Sequence, residues 1–182
     1  MRLGVCFLAA CVALPGCAAK TSINFRINRD KAFAGHISNV VVNVRSPAGQ
    51  AKYASGFIQR SVDFPAALSK ALKAEFKAAG AECQMIKSGE LTLEETSVEQ
   101  ALRTAGADYY FEVRHAQSTE LNTITTSMLF NASLYFVPEK RRIWRSRIEV
   151  ERVGIGAAGL DQSSADRTAA AIITQLKSAG LL

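Results

Sequence analysis

Apolar positions in this chain recur with two different periods, and each period predicts its own kind of element. Leu68, Leu72 and Phe76 stand four apart with Ala71 and Ala79 beside them, which makes one buried helical stripe. Lys70, Lys73 and Lys77 lie away from it, toward water. Asp63 is placed to cap this helix, Pro65 is tolerated in its first turn and Gly80 stops it. A second stripe, Ala165, Ala169, Ile172, Leu176 and Ala179, predicts a final helix that starts near Ser163 or Ser164 and ends before Gly180. Between them a short helix is expected through Ala105, opened by Thr96 with Glu99 or by Ser97 with Gln100 as a capping box and ended by Gly106.

A period of two marks the strands. Val40, Val41, Val42, Asn43 and Val44 form a β-branched run expected to be a central strand buried on both faces. Residues 81–86 predict the next strand. Both Ala79-Gly80-Ala81 and Ala105-Gly106-Ala107 lead from a helix straight into a strand. Tyr109, Phe111, Val113 and His115 share one strand face, with Tyr110, Glu112 and Arg114 on the other. Met128, Phe130, Ala132, Leu134 and Phe136 repeat the alternation. Residues 138–141 turn the chain, and Trp144, Ser146, Ile148 and Val150 return it against Arg145, Arg147, Glu149 and Glu151. This is a long antiparallel hairpin with one wet face. The order β-α-β-α-β-β-β-α predicts an α+β domain with a mixed sheet and helices packed on one face. Residues 46–60, with Pro47, Gly49 and Gly56, read as a loop, and residues 18–39 as a polar, irregular tether.

The N-terminus changes the picture. Arg2 precedes an apolar run over residues 3–13, followed by Leu14-Pro15-Gly16-Cys17, a secretory signal too short to stay in a bilayer as a spanning helix. The segment resembles the lipobox of bacterial lipoproteins, with Leu14 at the apolar position, Gly16 at the small one and Pro15 as a less usual filler. The resemblance implies a diacylglycerol on the Cys17 sulfur, removal of residues 1–16 and a further fatty acid, such as palmitate, on the new amino group. Each buried methylene contributes about 0.8 kcal/mol, so one chain binds reversibly and two or three anchor durably. Ala18, rather than an aspartate, implies sorting to the outer membrane. The alternative is ordinary cleavage after Ala18 or Ala19, but a soluble secreted protein has no need of a cysteine here. The expected organisation is a signal peptide over 1–16, a lipidated N-terminus and tether over 17–36, and one periplasm-facing domain over 37–182.

Charge and candidate chemistry narrow the function. The formal net charge of +6 is spread out, with its densest run at Lys140, Arg141 and Arg142. That run reads as a solvated turn, and an exported chain would meet an acidic envelope surface rather than nucleic acid. Cys6 and Cys11 leave with the signal, Cys17 carries lipid, and Cys83 remains as a small apolar residue without a disulfide partner. His36 and His115 have no metal-pair spacing and no CxxC exists, so no metal is expected. Gly154-Ile155-Gly156-Ala157-Ala158-Gly159 matches the dinucleotide fingerprint, but the strand before it belongs to a hairpin. An acidic residue is needed about twenty positions further on, and the last helix occupies that place. It reads as a flexible connector, and no cofactor is expected. There is no GxSxG elbow, His115 reads as a packed or rim histidine, and Glu94 and Glu95 as loop carboxylates before a helix. No catalytic residue is assigned.

The helix Ala66-Ala67-Leu68-Ser69-Lys70-Ala71-Leu72, the segment Gly106-Ala107-Asp108-Tyr109-Tyr110 and the basic turn Lys140-Arg141-Arg142-Ile143-Trp144 carry a further resemblance. Residues 37–179 look like small envelope lipoproteins with the fold shared by the TolB N-terminal domain, CsgG, LpoB and LptE. The resemblance implies a non-enzymatic accessory or assembly component, bound to an envelope protein partner or to copies of itself, and it carries over no functional residue. The second reading is a binding module for lipopolysaccharide or an acidic glycan. Either way the candidate interaction face is Arg141, Arg142, Arg145 and Arg147, beside Lys140, unless Glu149, Glu151 or Glu112 simply pair with those arginines. An enzyme of unrecognised type ranks below both.

Overall fold

The computed structural model describes residues 20–45, 63–86, 94–121, 124–153 and 159–182. These form strands β1 (Lys20–Arg29) and β2 (Asn39–Arg45), helix α1 (Phe64–Ala78), strand β3 (Glu82–Met85) and helix α2 (Glu94–Ala105). Strands β4 (Tyr109–Leu121), β5 (Ile124–Phe136) and β6 (Arg141–Val153) and helix α3 (Gln162–Ser178) follow. The strands make one mixed sheet in the order β1-β6-β5-β4-β2-β3, so the domain is of the α+β class. β2 runs parallel to β3 and β4, while β4, β5, β6 and β1 pair antiparallel. Cys17 with the signal segment, the loop expected over 46–60 and the glycine segment up to residue 158 lie outside the described residues.

Helix α1 forms for the reasons visible in its sequence. Asp63 accepts a hydrogen bond from the Ala66 amide at 3.2 Å, Pro65 stands in the first turn, and Gly80 adopts φ 86°, a left-handed conformation that a Cβ would disfavour. Phe64, Leu68, Leu72 and Phe76 are buried. Helix α3 is capped by Asp161 in the same way and buries Ala165, Ala169, Ile172, Ile173 and Leu176. The two helices pack against each other and against one face of the sheet, where Phe76 meets Phe111 and Phe64 meets Phe130 with ring centroids 5.7 and 5.9 Å apart. Trp144, buried in the same core, packs on Phe111 with ring centroids 5.9 Å apart.

Two boundaries differ from expectation. Lys20–Arg29, read as part of an irregular tether, is an edge strand paired with β6 through ten residues, from Lys20 opposite Val153 to Arg29 opposite Trp144. It covers a row of β6 backbone groups that would otherwise be unpaired. Thr21 is buried and Ile23 and Phe25 pack on the core, while Asn24, Arg26 and Asn28 face outward. Helix α2 starts at Glu94, so Glu94 and Glu95 belong to its first turn rather than to a preceding loop.

Helix α2 stands apart from α1 and α3. None of its described side chains joins the main core, and it touches β2. Val41 alternates away from Val40 and Val42, yet it is 1% exposed and likewise outside that core. Right-handed β-α-β connections from β2 to β3 and back across to β4 put α1 and α2 over opposite faces. The face holding α1 and α3 is therefore the expected one, and α2 caps a small patch of the other. Asn39 fastens that corner: its amide donates to the Gly106 carbonyl at 2.8 Å and its side-chain oxygen accepts from the Asp108 amide at 2.9 Å.

Candidate functional site

Strand register lines up one residue from each of five strands on the face turned away from α1 and α3. Arg26 on β1 stands opposite Arg147 on β6, which stands opposite Asn131 on β5, then Arg114 on β4 and Arg45 on β2. At about 4.8 Å per strand this row crosses roughly 19 Å of sheet. Beside it runs a second row, Asn28, Arg145, Ser133, Glu112 and Asn43. Among the described residues no helix covers these rows over β1, β6 and β5, and Arg26, Asn28, Arg145, Arg147, Glu149 and Asn131 are all exposed.

The two ends of the row differ in electrostatics. On the β4 and β2 side, the Glu112 carboxylate lies 3.2 Å from Arg45 and 3.1 Å from Arg114, and its side chain is only 13% exposed. Glu112 pushes the Arg114 guanidinium above its ordinary pKa. Asn43 donates to the Tyr110 hydroxyl at 3.1 Å, and Tyr110 pairs with Tyr135. On the β1 and β6 side nothing comparable occurs: among the described residues, Arg26, Arg145, Arg147 and Glu149 hold no ion pair. The expected alternative, in which Glu112, Glu149 or Glu151 neutralises Arg145 and Arg147, is not the arrangement found. Arg26 and Arg147 directly face each other, and like charges so placed are destabilising. A shallow pocket of about 110 Å³ opens here, lined by Asn24, Arg26, Leu129, Arg147 and Glu149.

Of the four arginines singled out from the sequence, the structure brings three together. Arg142 stands opposite Tyr135, and so shares the open face with Arg145 and Arg147. Arg141 does not join them. Its guanidinium closes on Asp30, with Nε donating to Oδ2 at 2.8 Å and a second nitrogen on the same oxygen, and reaches Glu139 at 3.5 Å. That contact, helped by the Ala32 amide, holds the Asp30 carboxyl below its ordinary pKa. Arg141 is thus a clip between the end of β1 and the β5–β6 turn. Lys140 is exposed in that turn with φ 50°. Arg26 and Asn24 were missed by sequence reasoning because they lie on the strand read as a tether, although Ile23, Phe25 and Ile27 alternate with Asn24, Arg26 and Asn28.

The remaining candidates occupy structural places. His115 is buried at the end of the apolar row of β4, with its ring edge on Phe130 at 5.6 Å and Nε2 2.7 Å from the Ser118 hydroxyl. Cys83 is half-buried against the core with its sulfur 3.9 Å from that of Met85, and burial pushes its thiol up to about 11 against a smaller opposing pull from Lys73. His36 is exposed, before β2. Among the described residues no group of three or more His, Cys, Asp or Glu is placed to hold a metal ion, and no helix is long and apolar enough to cross a membrane.

No protein-family model matches the chain, and no curated protein matches it. Solved structures do. The chain is similar in fold to the PelC dodecamer from Paraburkholderia phytofirmans, at 15% identity and a TM-score of 0.50 over 85% of this chain and 97% of that one. A single-substitution variant of that PelC gives 14% identity and a TM-score of 0.51, covering 85% and 98%. A DUF330 protein from Xanthomonas campestris also matches, at 14% identity and a TM-score of 0.37 over 85% and 87%, too distant to support an argument. At these identities the likeness is one of fold.

Proposed function

We propose that this chain is a lipid-anchored protein of the bacterial envelope, facing the periplasm from the outer membrane. It acts as a non-enzymatic accessory or assembly component and works through the open face of its sheet. The observation that carries the reading is the run of Arg142, Arg145, Arg147 and Arg26, which among the described residues is uncovered and lacks the carboxylate partner that Glu112 supplies at the other end of the row. Arginine forks grip carboxylates and phosphates through two bonds at once, so this face suits an acidic partner. Self-association has a parallel in PelC, which crystallised as a dodecamer, and among the described residues the sheet ends in two edges, β1 and β3, that offer further pairing. Anchoring rests on Cys17, three residues before β1.

Two measurements test this. Arg145→Glu combined with Arg147→Glu is expected to leave the fold intact, by circular dichroism and thermal unfolding, and to abolish the assemblies that cross-linking in cells and native mass spectrometry detect for the wild type. Wild-type assembly by a folded double variant would overturn the role of the face. Cys17→Ser is expected to abolish fatty-acid labelling and leave the precursor uncleaved, and undiminished palmitate incorporation would overturn the anchor. A second reading, an acidic envelope saccharide as the ligand, is favoured by one observation, the pocket between Arg26 and Arg147.

A further inference from the structure

We infer that the pocket between Arg26 and Arg147 binds an acidic sugar residue of a longer saccharide, a proposal that rests on the second reading above. The two guanidinium groups take the sugar's carboxylate or phosphate. Asn24 and Glu149 take its hydroxyls.

The arrangement argues first for an anionic group on the ligand. Arg26 and Arg147 are directly opposite on adjacent antiparallel strands, where like charges repel, and neither has a carboxylate within ion-pair distance among the described residues. Elsewhere in the same row the problem is solved internally, because Glu112 sits between Arg45 and Arg114. An anion seated between Arg26 and Arg147 would do the same from outside, accepting from two forks at once. Asn131 continues the row and places a further amide beside Arg147.

The rest of the lining argues against a bare anion. Glu149 is part of the pocket wall and would repel phosphate or carboxylate alone, whereas a ligand with hydroxyl groups next to its charge donates to that carboxylate. Leu129, on β5 opposite Glu149, supplies an apolar patch beside the polar groups, suited to the C–H face of a sugar ring. A neutral sugar would leave both arginines unanswered, and a lipid tail would find one apolar side chain.

Size sets the remaining condition. About 110 Å³ holds the charged end of one sugar, well short of the roughly 300 Å³ or more typical of small-molecule sites. A single residue binds weakly, then, and a chain gains by repetition over the uncovered face.

The test is titration calorimetry on the full-length protein made in a bacterial envelope and held in polyoxyethylene detergent. The probes are a tetrasaccharide of glucuronate, a mannose phosphate, maltotetraose and inorganic phosphate. Binding of the two acidic sugars but not of maltotetraose is expected, weakened about tenfold in Arg26→Gln and in Arg147→Gln. Arg147→Lys, which keeps the charge but loses the fork, is expected to bind nearly as poorly as Arg147→Gln. Arg167→Gln, on the exposed side of α3, is expected to bind as the wild type does. Inorganic phosphate binding as tightly as the tetrasaccharide would overturn the sugar assignment. Wild-type affinity in Arg147→Lys, or equal loss in Arg167→Gln, would reduce the effect to net charge and overturn the site. Absence of saccharide binding by a protein that still assembles would overturn this inference while leaving the assembly reading standing.

Discussion

The hydroxyls of Thr21 and Ser164, 143 positions apart in the chain, lie 3.0 Å from each other inside the protein. Ser164 donates its own proton to Asp161 at 2.7 Å, so Thr21 is the donor in this pair. Arg152 closes the cluster, reaching Asp161 at 3.0 Å and the Ser164 hydroxyl at 3.3 Å. The first strand is thereby fastened to the start of the last helix. Thr21→Val, which keeps shape and removes the donor, is expected to lower stability by about 1 kcal/mol in urea unfolding. An unchanged midpoint would mean that the contact contributes nothing.

Asp161 gives the same cluster an acid limit. Partial burial alone would raise its carboxyl, but bonds from the Ser164 hydroxyl and amide, and then Arg152, outweigh that and hold it below 3.8. Its folded pKa is therefore below its unfolded one. The stability this supplies is present above the ordinary carboxylate value and is lost as pH falls through the lowered folded value. Asp161→Asn keeps the cap and is expected to flatten the fall in melting temperature below about pH 4. Asp161→Ala loses the cap too, at about 1–2 kcal/mol at every pH.

His115 sets a second, milder limit. Burial lowers its pKa from 6.5, outweighing a backbone contact at Gln117, so the folded protein prefers the neutral ring. Its contribution is complete above pH 6.5 and declines as pH falls through the folded pKa. His115→Phe keeps the packing on Phe130 and removes the titration. A melting temperature that falls between pH 7 and pH 5 in the wild type but not in the variant is the expected result, and parallel curves would count against it.

Gly35 makes room for an aromatic cluster. A Cβ built there would stand 2.7 Å from the Tyr109 hydroxyl and collide with the Phe33 ring. Phe33, Tyr109 and Phe136 pack together with centroids 5.2 to 6.4 Å apart, so the ring has little freedom to retreat. Gly35→Ala is expected to cost about 1–3 kcal/mol, measured as a shift in the urea midpoint.

Cys83 is expected to be a slow thiol. With its pKa near 11 rather than 9.0, the thiolate fraction at pH 8 is about a hundredfold smaller than that of an ordinary cysteine. Iodoacetamide should therefore modify Cys83 in the native protein far more slowly than in the urea-unfolded one. Equal rates would show a solvated sulfur.

What the chain discloses on its own follows from how local each signal is. The cap of Asp63, the stripe through Leu68, Leu72 and Phe76, and the alternation of Trp144, Ser146, Ile148 and Val150 against Arg145 and Arg147 are complete within a dozen residues, and the structure contains them. The edge strand is a different case. Ile23, Phe25 and Ile27 do alternate, but Ile27 is 41% exposed and the strand holds by its pairing with β6, more than a hundred residues away. The open face of the sheet shares that limit. Arg147 is legible from its own strand, whereas its opposition to Arg26 is a matter of register between distant segments. Likewise nothing near Arg141 announces Asp30 as its partner, so a residue that reads as available is in fact occupied.

Because β1 begins at Lys20, only two residues, Ala18 and Ala19, separate the sheet from Cys17. A chain that short reaches at most about 11 Å. Acyl chains on that cysteine would hold the domain like a boat moored on a short line, with one sheet edge kept near the bilayer surface. Neighbouring copies would then drift in a plane with the same end toward the lipid. Encounters in such a layer start already half-aligned, so contacts too weak to hold subunits together in free solution would suffice to hold them there.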